Sequence, residues 1–155
     1  MAKVYFICGF IGSGKTTYSK QLAESAPALR FSIDEWMIPL YGEHMERDVF
    51  DSRLSTLMEL FKISAVQMLN LDVSVIFDFG FWTRLDRSNF KEWADRLNIE
   101  SEFIYLDCCF DVCSERAQSR NKDRGDTAFE MTPEMLSMFW SWFEIPSADE
   151  PVTIV

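Results

Sequence analysis

Residues Gly9-Phe10-Ile11-Gly12-Ser13-Gly14-Lys15-Thr16 satisfy the pattern G-x₄-G-K-[ST] and, with Gly9, Gly12 and Gly14, hold three of the chain's six glycines in one turn. Glycines let a backbone curl until several N–H groups point inward at phosphate oxygens. A helix that starts there adds the positive end of its dipole. Lys15 can neutralise β- and γ-phosphate oxygens, and the Thr16 hydroxyl can ligate Mg²⁺. The expected nucleotide-binding residues are therefore Gly9, Gly12, Ser13, Gly14, Lys15, Thr16 and Thr17, with Lys15 also counted as catalytic. The competing account is a tight glycine turn beside a solvated lysine. An apolar run before the turn and a helical stretch after it favour phosphate.

Those flanking elements recur along the chain. "KVYFIC", Lys3 to Cys8, predicts a buried strand, and Lys15 to Ser25 a helix stopped before Pro27. "LRFS", Leu29 to Ser32, predicts a second strand. Phe50, Leu54, Leu57, Met58, Phe61, Ala65, Met68 and Leu69 recur at helical spacing and predict a long amphipathic helix. "VSVIFD", Val73 to Asp78, predicts a third strand. Thr83 and Asp86 form a capping box that opens a helix carrying Phe90, Trp93, Ala94 and Leu97. Glu102 to Cys108 predicts a fourth strand, Asp111 to about Arg120 a helix, and "NKDRGDTAFE" a mobile loop. Thr132 and Pro133 start a helix with Leu136, Phe139, Trp140 and Phe143, and "VTIV", Val152 to Val155, predicts the last strand. Alternating strands and helices call for an α/β fold, a parallel sheet with helices on both faces, in a single domain over 1–155.

Ligands of such sheets sit at the carboxyl ends of the strands, and two carboxylates fall there. Asp34, after the second strand, can accept a proton from an incoming hydroxyl or orient it; it can equally cap the helix starting near Glu35. Asp78, ending the third strand, stands where a Walker-B carboxylate holds Mg²⁺ or its water, or it can hydrogen-bond the adjoining turn. Thr16 and Asp78 are thus the expected metal residues. Arg116, Arg120 and Arg124 recur every four residues beside the polar loop. They can offset charge over a transferred phosphate or form a solvated basic face. Arg84 and Arg87 can meet an anionic group of an acceptor or lie on the surface. Trp36, Tyr41, Trp82, Trp140 and Trp142 can stack on adenine, line an acceptor pocket or pack in the core. His44 lies in a polar stretch and predicts a surface residue.

Composition narrows the partners. The 155 residues are 48% hydrophobic, with 14 Phe and 5 Trp, enough for an aromatic core. The net charge of −10 repels polyanions, which argues against a nucleic acid or an anionic membrane as partner. The apolar run near the N-terminus is too short for a membrane span and ends without a cleavage pattern. Cys8, Cys108, Cys109 and Cys113 match no zinc ribbon or CxxC pattern and predict reduced thiols in a cytosolic core.

"GFIGSGKTTY", "FSIDEWM", "VIFDFGFWTR" and "FEIPSADE" together resemble the small bacterial P-loop kinases described as AAA-type ATP-binding proteins. These are grouped with polynucleotide kinase, zeta toxin and chloramphenicol phosphotransferase, and the likeness spans nearly the whole chain. The resemblance implies a P-loop NTPase three-layer sandwich. Its five-stranded parallel sheet has the order 2-3-1-4-5, and a helical lid covers about 117–131. It implies ATP and Mg²⁺ at Lys15 and Thr16, Asp34 as the hydroxyl-activating carboxylate, and lid arginines near Arg120. Polynucleotide kinases carry an arginine three residues after the acidic one; here that position is Met37. The chain is also shorter than zeta toxins. The expected activity is a cytoplasmic, ATP-dependent phosphotransfer to a hydroxyl of a small-molecule acceptor, with a homodimer left open. The alternatives are an ATP-binding regulatory module and a nucleotide or polynucleotide 5′-hydroxyl kinase.

Overall fold

The computed structural model describes residues 1–122 and 129–155. Its elements run β1 (Val4–Cys8), α1 (Lys15–Ser25), β2 (Ala28–Ser32), α2 (Ile33–Tyr41), α3 (Arg47–Asn70), β3 (Ser74–Gly80), α4 (Arg84–Arg96), β4 (Ser101–Tyr105), α5 (Phe110–Arg120), α6 (Pro133–Trp142) and β5 (Val152–Ile154). All strand pairs are parallel, in the order β2-β3-β1-β4-β5. Fold class and strand order are thus as the sequence and its resemblance lead one to expect.

Strand geometry sorts the side chains. Successive residues point to opposite faces. Ile7, Ile76 and Ile104 form a small core with Tyr18, Leu22 and Ala23 of α1. Phe6, Phe77 and Phe103 are paired across neighbouring strands, and they anchor the larger core on the other face. That core is aromatic. Phe6 lies 4.5 Å from Phe103 by ring centroids, and Phe77 stacks on Phe79 at 4.7 Å. Leu57, Phe61 and Ala65 of α3 and Phe90 and Ala94 of α4 close over it.

Local signals set the helix ends. Thr83 Oγ1 accepts from the Asp86 amide at 3.1 Å, and Thr132 Oγ1 accepts from Met135 at 3.2 Å with Pro133 following. Three details depart from expectation. The helix expected near Glu35, α2, begins at Ile33 and encloses Pro39, a residue that argues against helix in a sequence. Its N-cap is Ser32, so Asp34 lies in the first turn and does not cap it. β4 ends at Tyr105, not Cys108, because the chain must leave the sheet to reach the N-cap of α5 at Cys109. Of the expected lid, 117–131, the last turn of α5 and the segment from Phe129 are described, whereas Arg124 lies outside the described residues. Asn121 ties the two ends of that segment together: its side chain donates to Met131 O at 2.6 Å and accepts from Met131 N at 2.9 Å. Among the described residues, no helix is long and apolar enough to cross a membrane.

The end of β3 is locked by the C-terminal segment. Gly80 and Phe81 both take positive φ, 88° and 49°, which a buried phenylalanine adopts only under external constraint. Arg87 supplies it. Nη1 donates to Phe81 O at 2.8 Å, and the same guanidinium pairs with Glu150 at 2.7 and 3.1 Å. Both side chains are nearly sealed, at 3% and 9% exposure. Arg84 pairs with Asp149 in the open. The two arginines considered for an acceptor are therefore committed to the PSADE segment.

Glu150→Ala strands the Arg87 guanidinium without a counter-charge, and urea denaturation should show a loss of about 3–5 kcal/mol. Asp149→Ala should leave the midpoint near wild type. Arg87 holds the Glu150 carboxyl below its ordinary 4.5, so this contribution is present above that pH and disappears as pH falls through the lower folded value. Equal effects of the two substitutions would contradict the lock.

Candidate active site

The turn between β1 and α1 is shaped from outside. Phe10 is 1% exposed and sits among Trp82, Trp140, Phe143 and Phe110 at centroid distances of 5.0–6.2 Å. Gly12 and Gly14 have φ of 81° and 97°. A Cβ on Gly12 would stand 2.2 Å from the backbone oxygen of Cys113, so the loop rests directly on the start of α5. Within the loop, Ser13 N donates to Phe10 O at 3.1 Å. The N–H groups of the first turn of α1 have no intrahelical acceptor. Ser13 Oγ is buried without a hydrogen-bond partner among the described residues, and a Cβ on Gly9 would come within 2.6 Å of it. A glycine-only curl, free helix-start amides and an orphan hydroxyl together fit an anion.

Lys15 leaves this loop with Nζ donating to Phe10 O at 3.0 Å. Burial lowers its pKa, and the charges of Asp78 and Asp34 oppose that shift. Asp34 responds in the opposite direction. Burial pushes its carboxyl up to about 6, Lys15 pulls it down, Asp78 pushes it up and Arg120 pulls it down. Both side chains keep partial exposure, yet their charged ends are desolvated. Lys15, Asp34 and Asp78 thus feel one another's charge at the carboxyl ends of β1, β2 and β3, and the charge of Arg120, at the end of α5, reaches Lys15 and Asp34.

Asp78 has a partner that the sequence did not suggest. Arg30 Nη2 reaches its Oδ2 at 2.7 Å, and Ser19 Oγ donates to the same oxygen at 2.8 Å. Arg30 also bonds Ser19 Oγ through Nε at 2.6 Å and pairs with Glu35. The signal for Arg30 is weak in sequence: one charged residue inside a short strand, with nothing to say that it turns toward the next strand. Both partners use Oδ2, which leaves the other carboxylate oxygen and the exposed Thr16 hydroxyl as oxygen donors of the kind a hydrated Mg²⁺ takes. Among the described residues, no cluster of three His, Cys, Asp or Glu side chains forms a metal site.

The remaining candidates separate. Thr17 is exposed on α1. Arg116 is exposed on α5, with Nη1 3.9 Å from Cys108 Sγ. Trp82 and Trp140 pack around Phe10, and Trp36 packs on Phe31 and Phe61. Trp142 and Tyr41 are exposed beneath arginines, and His44 is exposed. Met37 is fully buried, so the position three residues after Asp34 faces the core. Cys8 and Cys113 are core thiols, but Cys109 is exposed and Cys108 half-buried.

Two measurements check this geometry. A carboxyl NMR titration should place Asp34 at about 6, and Lys15→Ala should raise it further; a value at the ordinary 3.8 in both proteins would contradict the cluster. The raised pKa means that Asp34 supports folding most below 3.8 and least above about 6, so Asp34→Asn should stabilise the protein at neutral pH. Gly12→Ala should cost about 1–3 kcal/mol or more in thermal unfolding, because backbone leaves no room for the methyl.

Comparison with known proteins places these features. The AAA domain family model matches residues 4–146. A search of curated proteins finds no match. A provisionally assigned kinase from Chloroflexus aurantiacus superposes with a TM-score of 0.76 at 21% identity, covering 99% of this chain and 87% of that one. Chaetomium thermophilum Kti12, solved with ADP-AlF3, gives 0.70 at 17%, covering 98% and 88%. A gluconokinase from Sinorhizobium meliloti gives 0.65 at 18%, covering 99% and 81%. At these identities the likeness is one of fold, and that fold is the P-loop kinase-like one. With the family model spanning nearly its whole length, the chain belongs to the AAA domain family.

Proposed function

We propose that this protein transfers the γ-phosphate of ATP to a hydroxyl group of a small-molecule acceptor. The observation that carries this reading is the half-buried Asp34 carboxylate, raised to about 6 beside the loop lysine. A group poised there can take a proton at neutral pH. The acceptor oxygen would attack the γ-phosphorus in line and lose its proton to Asp34. The bond to the β-phosphate would break, and ADP would leave. Loop amides and Lys15 would hold the β- and γ-phosphates and neutralise charge on the leaving group. Mg²⁺, held by Thr16 and by a water on Asp78, would supply further charge neutralisation. Arg120 is the arginine favoured for the transferred phosphoryl group, since its charge already reaches both Lys15 and Asp34.

Two facts favour a small acceptor over a polynucleotide: the net charge of −10 and the burial of Met37. A sugar kinase from Janibacter and the gluconokinase share the fold, in agreement with a polyol or sugar acceptor.

The test is ADP release from Mg-ATP across a panel of hydroxyl compounds. Acceptor-dependent release is expected, with kcat/KM rising as pH passes through about 6. Asp34→Asn should lose roughly a hundredfold or more in kcat while ATP affinity survives. Undiminished turnover in that variant would remove Asp34 from the mechanism. Tight ATP binding without release for any acceptor would point to a binding module instead.

A further inference from the structure

Three of the four cysteines gather at the start of α5, and the proposed transfer uses none of them. Cys109 is the N-cap, Cys108 precedes it, and Cys113 is the fourth residue of the helix. Side chains at these two flanking positions pack across the first helical turn in what is usually an apolar staple. Here the staple is made of two thiols. Cys113 Sγ donates to Cys108 O at 3.7 Å, which sets the Cys113 thiol against the Cys108 residue. Cys113 is fully buried, and burial pushes its thiol up to about 12, so it stays protonated. Cys108 is half-buried, with Arg116 Nη1 3.9 Å from its sulfur. A partly accessible sulfur with a cationic neighbour and a second thiol across one helical turn is the setting of a peroxide-reactive cysteine and its resolving partner.

The pair touches the phosphate loop. Gly12 rests on the carbonyl of Cys113, with no room for even a methyl group between them. An S–S bond is about 2.05 Å long and fixes the dihedral and spacing of the residues it joins, so closing one constrains the first turn of α5 to that geometry. Any shift of the Cys113 backbone on closing the bond passes directly to Gly12.

We infer that Cys108 and Cys113 form a reversible, hydroperoxide-driven disulfide that weakens anion binding in the loop above it. The thiolate of Cys108 attacks one peroxide oxygen, the O–O bond breaks, and hydroxide leaves from a new sulfenic acid. The Cys113 sulfur then attacks the Cys108 sulfur, the S–O bond breaks, and the departing hydroxide takes the Cys113 proton as water. Two thiols lose two electrons in all, and hydrogen peroxide is reduced to two waters. A dithiol reverses the change. The cross-link stands on the thiol geometry alone, and its effect on binding rests on the phosphate-binding reading above.

The experiment treats the reduced full-length protein with stoichiometric hydrogen peroxide and maps disulfides by mass spectrometry without reductant. A Cys108–Cys113 link is expected, reversed by dithiothreitol, retained in Cys109→Ser and lost in Cys108→Ser and Cys113→Ser. Calorimetry with Mg-ADP should then show at least about tenfold weaker binding in oxidised than in reduced wild type. Cys108→Ser, treated identically, should bind like its untreated form. Oxidation confined to Cys109, or no link at all, would overturn the proposal. A link that leaves Mg-ADP affinity unchanged would overturn the regulatory half. If reduced wild type binds no Mg-ADP, the phosphate-binding reading fails together with that half, while the mapped link still reports on the thiols.

Discussion

A loop can offer amide groups to an anion only if something else holds its backbone in a shape that it would not choose alone. Here two contacts do so. Phe10, in the middle of the glycine-rich turn, is plugged into an aromatic layer made by Trp82, Phe110, Trp140 and Phe143. Two residues later, Gly12 is pressed onto the carbonyl of Cys113. The loop is thus clamped between α6 on one side and α5 on the other. Ordering such a turn carries a conformational cost of about 1–2 kcal/mol per residue, which burial of Phe10 and the surrounding rings offsets. The rest of the site is arranged around this fixed turn.

The carboxylates show how one sheet end supports two different roles. Asp78 is held by Arg30 and Ser19, three side chains that satisfy one another in a buried setting. The Asp34 carboxylate makes no hydrogen bond or ion pair among the described residues, and burial, helped by the charge of Asp78, outweighs the pull of Lys15 and Arg120, so its proton affinity rises. A paired carboxylate suits holding a cation, and a desolvated one suits handling a proton. The Arg87–Glu150 lock belongs to the same scheme. It fixes the carbonyl of Phe81 just past the end of β3, and so fixes the strand end that carries Asp78.

Much of this was readable from residue types. The glycine spacing, the apolar strand before it, and the capping residues Thr83 and Thr132 are local signals, and local physics honours them. Strand order came through the resemblance, not through periodicity. What the sequence did not disclose is long-range. Arg87 and Glu150 are 63 positions apart and Arg30 and Asp78 are 48 apart, and no propensity links such pairs. The start of α2 was legible near Glu35, but its run through Pro39 was not, because that residue argues against helix locally while burial of Met37 and Ile38 outweighs the local preference. Phe10 looked like a variable position of a motif, and only the fold reveals that it anchors the turn. Cys108 and Cys113 looked like inert core thiols until the helix start brought them together.

An anion seated in the clamped turn is what the whole site is arranged to hold, and calorimetry of Mg-ADP binding to reduced wild type and to Lys15→Ala tests this most directly. Saturable heat in the wild type, with affinity at least about tenfold lower once the lysine charge is removed, is the predicted result. No heat from either protein, or equal affinity in both, would contradict it.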